Sequence, residues 1–235
     1  MGKIKELQKL LRIEEEKSED EVKEQFGKIA DMLFQDFHIE KKGVRYDFLE
    51  IEFYFYSKNH PDFITYPRKT EAGEWFFHMS GVDISFESKK EERDGKEVAV
   101  FGGGILVRSI LKKKEGEKEQ VIAGPYKCVD ELFDRFDAFG GELKNFPILK
   151  PNEEEQKGIE VKSCVRWIPP YTGKPDKAKV ERKEKELSER YPEFKSKKND
   201  FRKLIVEKEK GSYRYYRDVD WGGYQAKPPV VKLFE

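Results

Sequence analysis

Residues 44–56, VRYDFLEIEFYFY, are the longest aromatic and apolar run in a chain otherwise dominated by charge. Aromatic residues at this density favour an extended strand. With side chains alternating in direction, Leu49, Ile51, Phe53 and Phe55 fall on one face and Tyr46, Phe48, Glu50, Glu52, Tyr54 and Tyr56 on the other. Two carboxylates therefore stand side by side in an aromatic row. From periodicity alone, the plain account is a half-exposed strand whose glutamates pair across to lysines. The same row would also serve as the wall of a water-activating site: low polarity raises a carboxylate's pKa, and a nearby arginine holds it ionised.

Upstream, Ile4, Leu7, Leu10, Leu11 and Ile13 follow helical spacing. Ser18 with Glu21 three residues on is a capping box, opening a second helix whose face is Val22, Phe26, Ile29, Ala30, Leu33 and Phe34. This helix is expected to lie on the sheet, and Lys41-Lys42-Gly43 to turn a hairpin into the central strand. Downstream, Pro61 and Pro67 make 58–72 a loop placed to roof a pocket.

Residues 75–79 and 82–86 read as two further strands, and 88–96 as a polar excursion. A strand from Val98 to Leu111 contains Gly102-Gly103-Gly104, a bulge or a place of close approach. Arg108 sits in that strand with Leu106 and Ile110 on its face, so it must be paired or face a polar pocket, and Glu50, Glu52 or Asp83 is the expected partner. A helix is predicted over Tyr126–Phe136, ended by Gly140-Gly141, a strand over Val161–Ile168, and a charged surface helix over Asp176–Arg190. The tail interleaves Tyr213, Tyr215, Tyr216, Trp221 and Tyr224 with Arg214 and Arg217. Such a tail stacks on bases and holds phosphates, or packs as an edge strand, and packing is the favoured reading.

The chain has 235 residues, 37% hydrophobic, 40% charged and 14% aromatic, which suits one folded core with a heavily solvated surface. Net charge is zero, so there is no overall footprint for a polyanion. Residues 171–235, however, hold 18 Lys and Arg against 12 Asp and Glu, a local excess that suits either a polyanion or a solvated helix face. Cys128 and Cys164 form no CxxC, and His38, His60 and His78 fall in no metal-ligand spacing, so neither a metal nor a cofactor is expected. No stretch has the length and apolarity of a signal peptide or a membrane span, and a reducing cytoplasm is the expected location. Serine-elbow and P-loop motifs are missing, and the three glycines lack the spacing of a dinucleotide fingerprint.

The order LEIEFY, a histidine-bearing loop, an aromatic strand, GGILVRSI and AGPYKCVDEL resembles the alkyladenine (3-methyladenine) DNA glycosylase family over roughly residues 26–135. That resemblance implies a base-excision enzyme that flips a damaged purine out of DNA, stacks it between aromatic rings and cleaves its N-glycosidic bond with glutamate-activated water. By position, Glu52 would activate the water with Glu50 as fallback, and Arg108 would hold the glutamate. Tyr54, His60 and His78 would stack on the base, and Lys127, Arg214 and Arg217 would contact duplex or single-stranded DNA. The family's wedge tyrosine falls near Ser80, and its following asparagine near Asp83 or Glu87.

The expected architecture is α+β: a curved, mostly antiparallel sheet flanked by helices over residues 1–170, with a charged helical extension over 171–235 packed on it. A monomer acting on DNA is the leading expectation. A non-catalytic nucleic-acid or nucleotide binding module, and an interaction protein of the same fold, are the alternatives.

Overall fold

The computed structural model describes residues 2–134, 145–156, 158–166, 168, 171, 176–192, 200–209, 211–218 and 224. It shows an α+β domain built on a strongly curled antiparallel sheet. Two amino-terminal helices, α1 (Gly2–Leu10) and α2 (Glu19–Gln35), lead into β1 (Phe37–Lys41) and β2 (Val44–Tyr56). Next come β3 (Trp75–His78), β4 (Gly81–Ser85), β5 (Lys89–Arg93), β6 (Lys96–Lys113), β7 (Gln120–Ala123) and helix α3 (Pro125–Leu132). β8 (Ile148–Pro151), β9 (Val161–Cys164), α4 (Lys177–Arg190), α5 (Asp200–Glu209) and β10 (Arg214–Arg217) complete the described elements.

Local chemistry sets several boundaries. Ser18 caps α2 with both halves of the capping box, its oxygen accepting from the Glu21 amide while the Glu21 carboxylate accepts from the Ser18 amide. Lys42 and Gly43 both take positive φ (53° and 73°), the geometry of a tight β1–β2 turn. The polar excursion at 88–96 is a hairpin, β5 folding back on the start of β6. The strand predicted over 161–168 is shorter, and the helix predicted over 126–136 ends at Leu132; its glycine stop at 140–141 lies outside the described residues, as does Trp221.

β2 and β6 form the spine of the sheet. One edge of β2 runs along β6 for its whole length, while its other edge is shared, β1 pairing with residues 44–46 and β10 with residues 50–52. The tyrosine-rich tail thus becomes an interior strand, flanked by β2 and β9. Simple alternation fails within this spine. Phe48 faces Ile110 and Ile51 faces Val107, yet Glu50 faces Ser109, so Leu49 and Arg108 are each left without an opposite number. These are two compensating bulges. They put Tyr46 and Phe48 in the same core as Ile51, Phe53 and Phe55, against the face expected from strict alternation. Ile110 also joins that core, so it does not share a face with Arg108.

The principal core lies between α2 and the sheet. Val22, Phe26, Ile29, Leu33 and Phe34 are fully buried there, and the Phe26 ring stacks on Phe53 at 4.5 Å. Truncating Phe26 to alanine would cost about 3–5 kcal/mol. A second core joins the extension to the sheet: Val180, Leu187 and Tyr191 of the α4 region, with Phe201, Ile205 and Val206 of α5, pack on Tyr56, Phe63, Val98 and Ala99. Helix α4 is therefore docked on the sheet, by Val180 and Leu187 with Tyr191 just beyond its end.

Candidate functional site

Strand register assembles one continuous row across the sheet. Phe76 of β3 lies opposite Asp83 of β4, Asp83 opposite Leu106 of β6, Leu106 opposite Glu52 of β2, and Glu52 opposite Arg214 of β10. Directly opposed residues share a face, so this row lies away from α2, on the side opposite Phe53 and Ile51.

Glu52 is fully buried and accepts two hydrogen bonds on Oε2, from Arg108 Nη1 and from the Tyr54 hydroxyl, each 2.9 Å. Glu50 is engaged separately: Arg214 Nη2 donates to its Oε1 at 2.6 Å and the Ser109 hydroxyl to its Oε2 at 2.8 Å. Each carboxylate thus has its own arginine, which is how two acids can share a buried face. Arg108 reaches Glu52 because it is a bulge residue on the Glu52 side of β6. Burial, with the Glu52 charge added, keeps the Tyr54 phenol well above its ordinary range, so its hydroxyl remains a donor. The Arg166 guanidinium lies 4.5 Å from the Tyr54 ring centre and forms a buried pair with Asp62 at 2.8 Å.

Tyr54 opens onto a cavity of about 530 Å³, within the range of small-ligand sites. The predicted loop supplies one wall, Ile64 to Arg68, and β3 and β4 another through Phe76, His78 and Asp83. Helix α4 closes a third side with Lys183, Glu186 and Arg190. The cavity is rich in rings: Tyr66 and His78 lie 4.9 Å apart, and the Arg68 guanidinium sits 4.0 Å over Phe76. Asp83 holds this wall in place, pairing with Arg68 Nη2 and with His78 Nε2 at 2.8 Å each. The Ser80 amide donates to His78 Nδ1 at 3.1 Å, which leaves the proton of the neutral ring on Nε2. With both nitrogens occupied, His78 offers the cavity its ring face.

The glycine triplet makes this arrangement possible. A Cβ on Gly104 would stand 2.6 Å from Arg68 Nη1 and 2.7 Å from Asp83, and one on Gly103 would strike the Tyr54 carbonyl. The close approach expected there is made by protein groups.

Of the sequence-predicted residues, Glu52, Arg108 and Tyr54 are bonded together, and Tyr54 and His78 line the cavity. His60 does not line it. Its ring is fully buried on the α2 side against Phe26, Phe55 and Tyr213, with Nδ1 2.7 Å from the Phe55 carbonyl oxygen. Burial, reinforced by the Lys208 charge, pushes its pKa down to about 4. The expected stacking role fails because the 57–60 turn points the ring into the core. Arg214 and Arg217 also depart from expectation. Arg214 is buried on Glu50, and Arg217 is buried with its Nη2 donating to the Phe34 carbonyl at 2.7 Å, so neither is offered to a nucleic acid. Lys127, in the first turn of α3, is exposed.

Ser80 stays beside the cavity, while its neighbour Met79 projects from the β3–β4 turn with 79% of its surface exposed. The Tyr126 hydroxyl donates to the Met79 carbonyl. Asp83 is buried and paired with Arg68, and Glu87 is paired with Arg12 at 3.1 Å. Sequence reasoning did not single out Arg68, Tyr66 or α4. The signal was Arg68 in a proline-bounded loop opposite an acidic strand residue, legible only once the strands are paired.

Among the described residues no three His, Cys, Asp or Glu side chains gather as a metal site, and no helix is long and apolar enough to cross a membrane. No family model matches the chain, and no solved structure matches it. The uncharacterised protein L759 of Acanthamoeba polyphaga mimivirus is 27% identical over 148 residues, which is 54% of this chain and 65% of L759. The chain thus spans less than two thirds of that relative's length.

Proposed function

We propose that the protein is a base-excision DNA glycosylase of the alkyladenine type, hydrolysing the N-glycosidic bond of an alkylated or deaminated purine. The observation that carries this reading is Tyr54, which lines the ring-walled cavity while its hydroxyl bonds the buried Glu52 that Arg108 also holds. An extruded purine stacks against Tyr54 and His78, recovering the few kcal/mol that extrusion costs. Water delivered beside Tyr54 gives a proton to Glu52 as its oxygen bonds to the sugar carbon; the carbon–nitrogen bond breaks and its electron pair leaves with the base. Carboxylate charge stabilises the positive charge developing on the sugar. The exposed Met79 supplies an apolar projection for the gap left in the duplex, and the exposed Lys127 a phosphate contact. Every group in this account comes from one chain, so a monomer suffices and no cofactor is called upon.

One observation favours a second reading. Glu52 is fully buried and lies outside the cavity lining, which suits a non-catalytic nucleotide-binding module as well. Release of free base from duplex DNA bearing hypoxanthine or an alkylpurine separates the two. Under the leading reading, Glu52→Gln lowers the single-turnover rate by about 10²–10⁴ with the fold retained. Release at the wild-type rate by Glu52→Gln would rule out the mechanism, and no release by the wild type would leave the binding module.

A further inference from the structure

Next to the ring-walled cavity is a smaller cleft of about 190 Å³ between α4 and the segment carrying Ile168 and Tyr171. The two spaces share Ile64, Ile168, Lys183 and Glu186, so they meet along one wall. The chemistry of the smaller one is different. Its inner end is Tyr171, 1% exposed, whose hydroxyl is buried and has no hydrogen-bond partner among the described residues. Burial holds that phenol well above its ordinary range, with the Glu184 charge adding to the effect, so it is a donor facing no acceptor. A buried donor left unmatched costs free energy unless a ligand completes it.

The outer wall is cationic. Lys179, Arg182 and Lys183 of α4 line the cleft. Lys179 is 3.4 Å from Asp176, and Lys183 is 3.1 Å from Glu186, which Arg190 also contacts at 3.0 Å. Arg182 has no ion-pair partner among the described residues. Three cations therefore line the cleft against the one carboxylate of Glu186, with an unmatched hydroxyl donor at Tyr171.

We infer that this cleft is a phosphate subsite, and that it takes the phosphate of the nucleotide whose base occupies the adjoining cavity. A phosphate supplies acceptor oxygens for the Tyr171 hydroxyl and the Arg182 guanidinium, and its charge offsets the local excess. This inference rests on the glycosylase reading for the base but not for the bond cleaved. The source of the phosphate is a DNA strand or a free nucleotide, and the chemistry is common to both.

The test is binding of deoxyinosine 5′-monophosphate against deoxyinosine, by titration calorimetry on the full chain. The wild type is expected to prefer the nucleotide by about tenfold or more, as charge-assisted hydrogen bonds imply. Arg182→Gln/Lys183→Gln should reduce that preference to about threefold or less. Tyr171→Phe should weaken the nucleotide severalfold without lowering thermal stability, because it removes a buried hydroxyl that has no partner. Equal affinity of the wild type for nucleotide and nucleoside would overturn the subsite, as would a preference that survives in Arg182→Gln/Lys183→Gln. A single-stranded oligonucleotide carrying one hypoxanthine identifies the source. For a strand phosphate, Arg182→Gln makes the slope of log affinity against log salt shallower by about 0.7; for a free nucleotide, that slope is unchanged while the wild type still prefers the monophosphate to the nucleoside. Base release is scored separately, so loss of the glycosylase reading and loss of the subsite give different results.

Discussion

Glu52 and Arg108 form the most consequential pair in the sheet, and a double-mutant cycle on them separates its structural from its chemical role. Glu52→Gln keeps the side-chain shape but leaves the Arg108 guanidinium without its 2.9 Å carboxylate partner. Breaking a fully buried pair costs about 3–5 kcal/mol. The Arg108 side chain keeps 17% exposure, and Glu50 still acts on it electrostatically, which together lower the expected loss to about 2–3 kcal/mol. For a chain of this size that is a fall of about 4–12 °C in melting temperature. Arg108→Met leaves Glu52 buried beside Tyr54 without its cation, and about 3–5 kcal/mol is expected there. The double variant Glu52→Gln/Arg108→Met replaces the ion pair by an amide and an apolar chain. Its loss should therefore fall short of the sum of the single losses by about 2 kcal/mol or more. Urea unfolding gives the three stabilities, and base release from hypoxanthine DNA is measured on the same preparations. The double variant should be less destabilised than the sum of the two singles, while base release stays about 10²–10⁴ below wild type. Additive stabilities would show that the two side chains do not interact, and recovery of base release in the double variant would refute a role for the Glu52 carboxylate.

Gly104→Ala should destabilise by about 1–3 kcal/mol, because its Cβ would meet Arg68 and Asp83 at 2.6–2.7 Å; a melting temperature equal to wild type would contradict that contact. His60 has an ordinary pKa of 6.5 and is held at about 4 in the fold. The unfolded chain therefore takes up a proton first as pH drops, so stability is full above pH 6.5 and falls towards pH 4, by about 3 kcal/mol for this group. His38 is shifted in the same direction, by burial first and despite its bond to Asn152. Urea midpoints between pH 7 and 4 should fall less steeply in His60→Gln. Ser18→Ala, which removes the α2 cap, should cost about 1 kcal/mol, measured as a shift in urea midpoint at unchanged slope.

How far the sequence was legible depends on the range of the signal. The capping box at Ser18, the helical face of α2 and the aromatic run of β2 are local patterns, and all three are present in the fold. The glycine triplet was legible as a close approach, but its occupant was not. Arg68 and Asp83 are 15 residues apart along the chain, and the loop carrying Arg68 is joined to the sheet by the Thr70–Ser88 bridge. His60 was misplaced because a four-residue turn directs its ring, and no periodicity governs a turn. Arg214 and Arg217 look like tail cations, yet the strand that carries them pairs inside the sheet. Helix α4 looked polar throughout because its docking face is only Val180 and Leu187, seven positions apart.

The paired bulges carry a consequence for how such a site is gained and lost. Outside them, residues 45–48 pair with 110–113 and residues 51–56 with 102–107 as one unbroken ladder. Leu49 and Arg108 are single-residue insertions in facing strands, each cancelling the offset the other creates. Deleting one alone would leave the other as an unmatched extra residue, a one-sided bulge between β2 and β6. Deleting both would leave every remaining pair opposed as it is now and remove buried Leu49 together with the cation that holds Glu52. Strand register and the charge partner of Glu52 are thus separable: the matched loss of both residues keeps the pairing of the sheet and leaves Glu52 buried without its arginine.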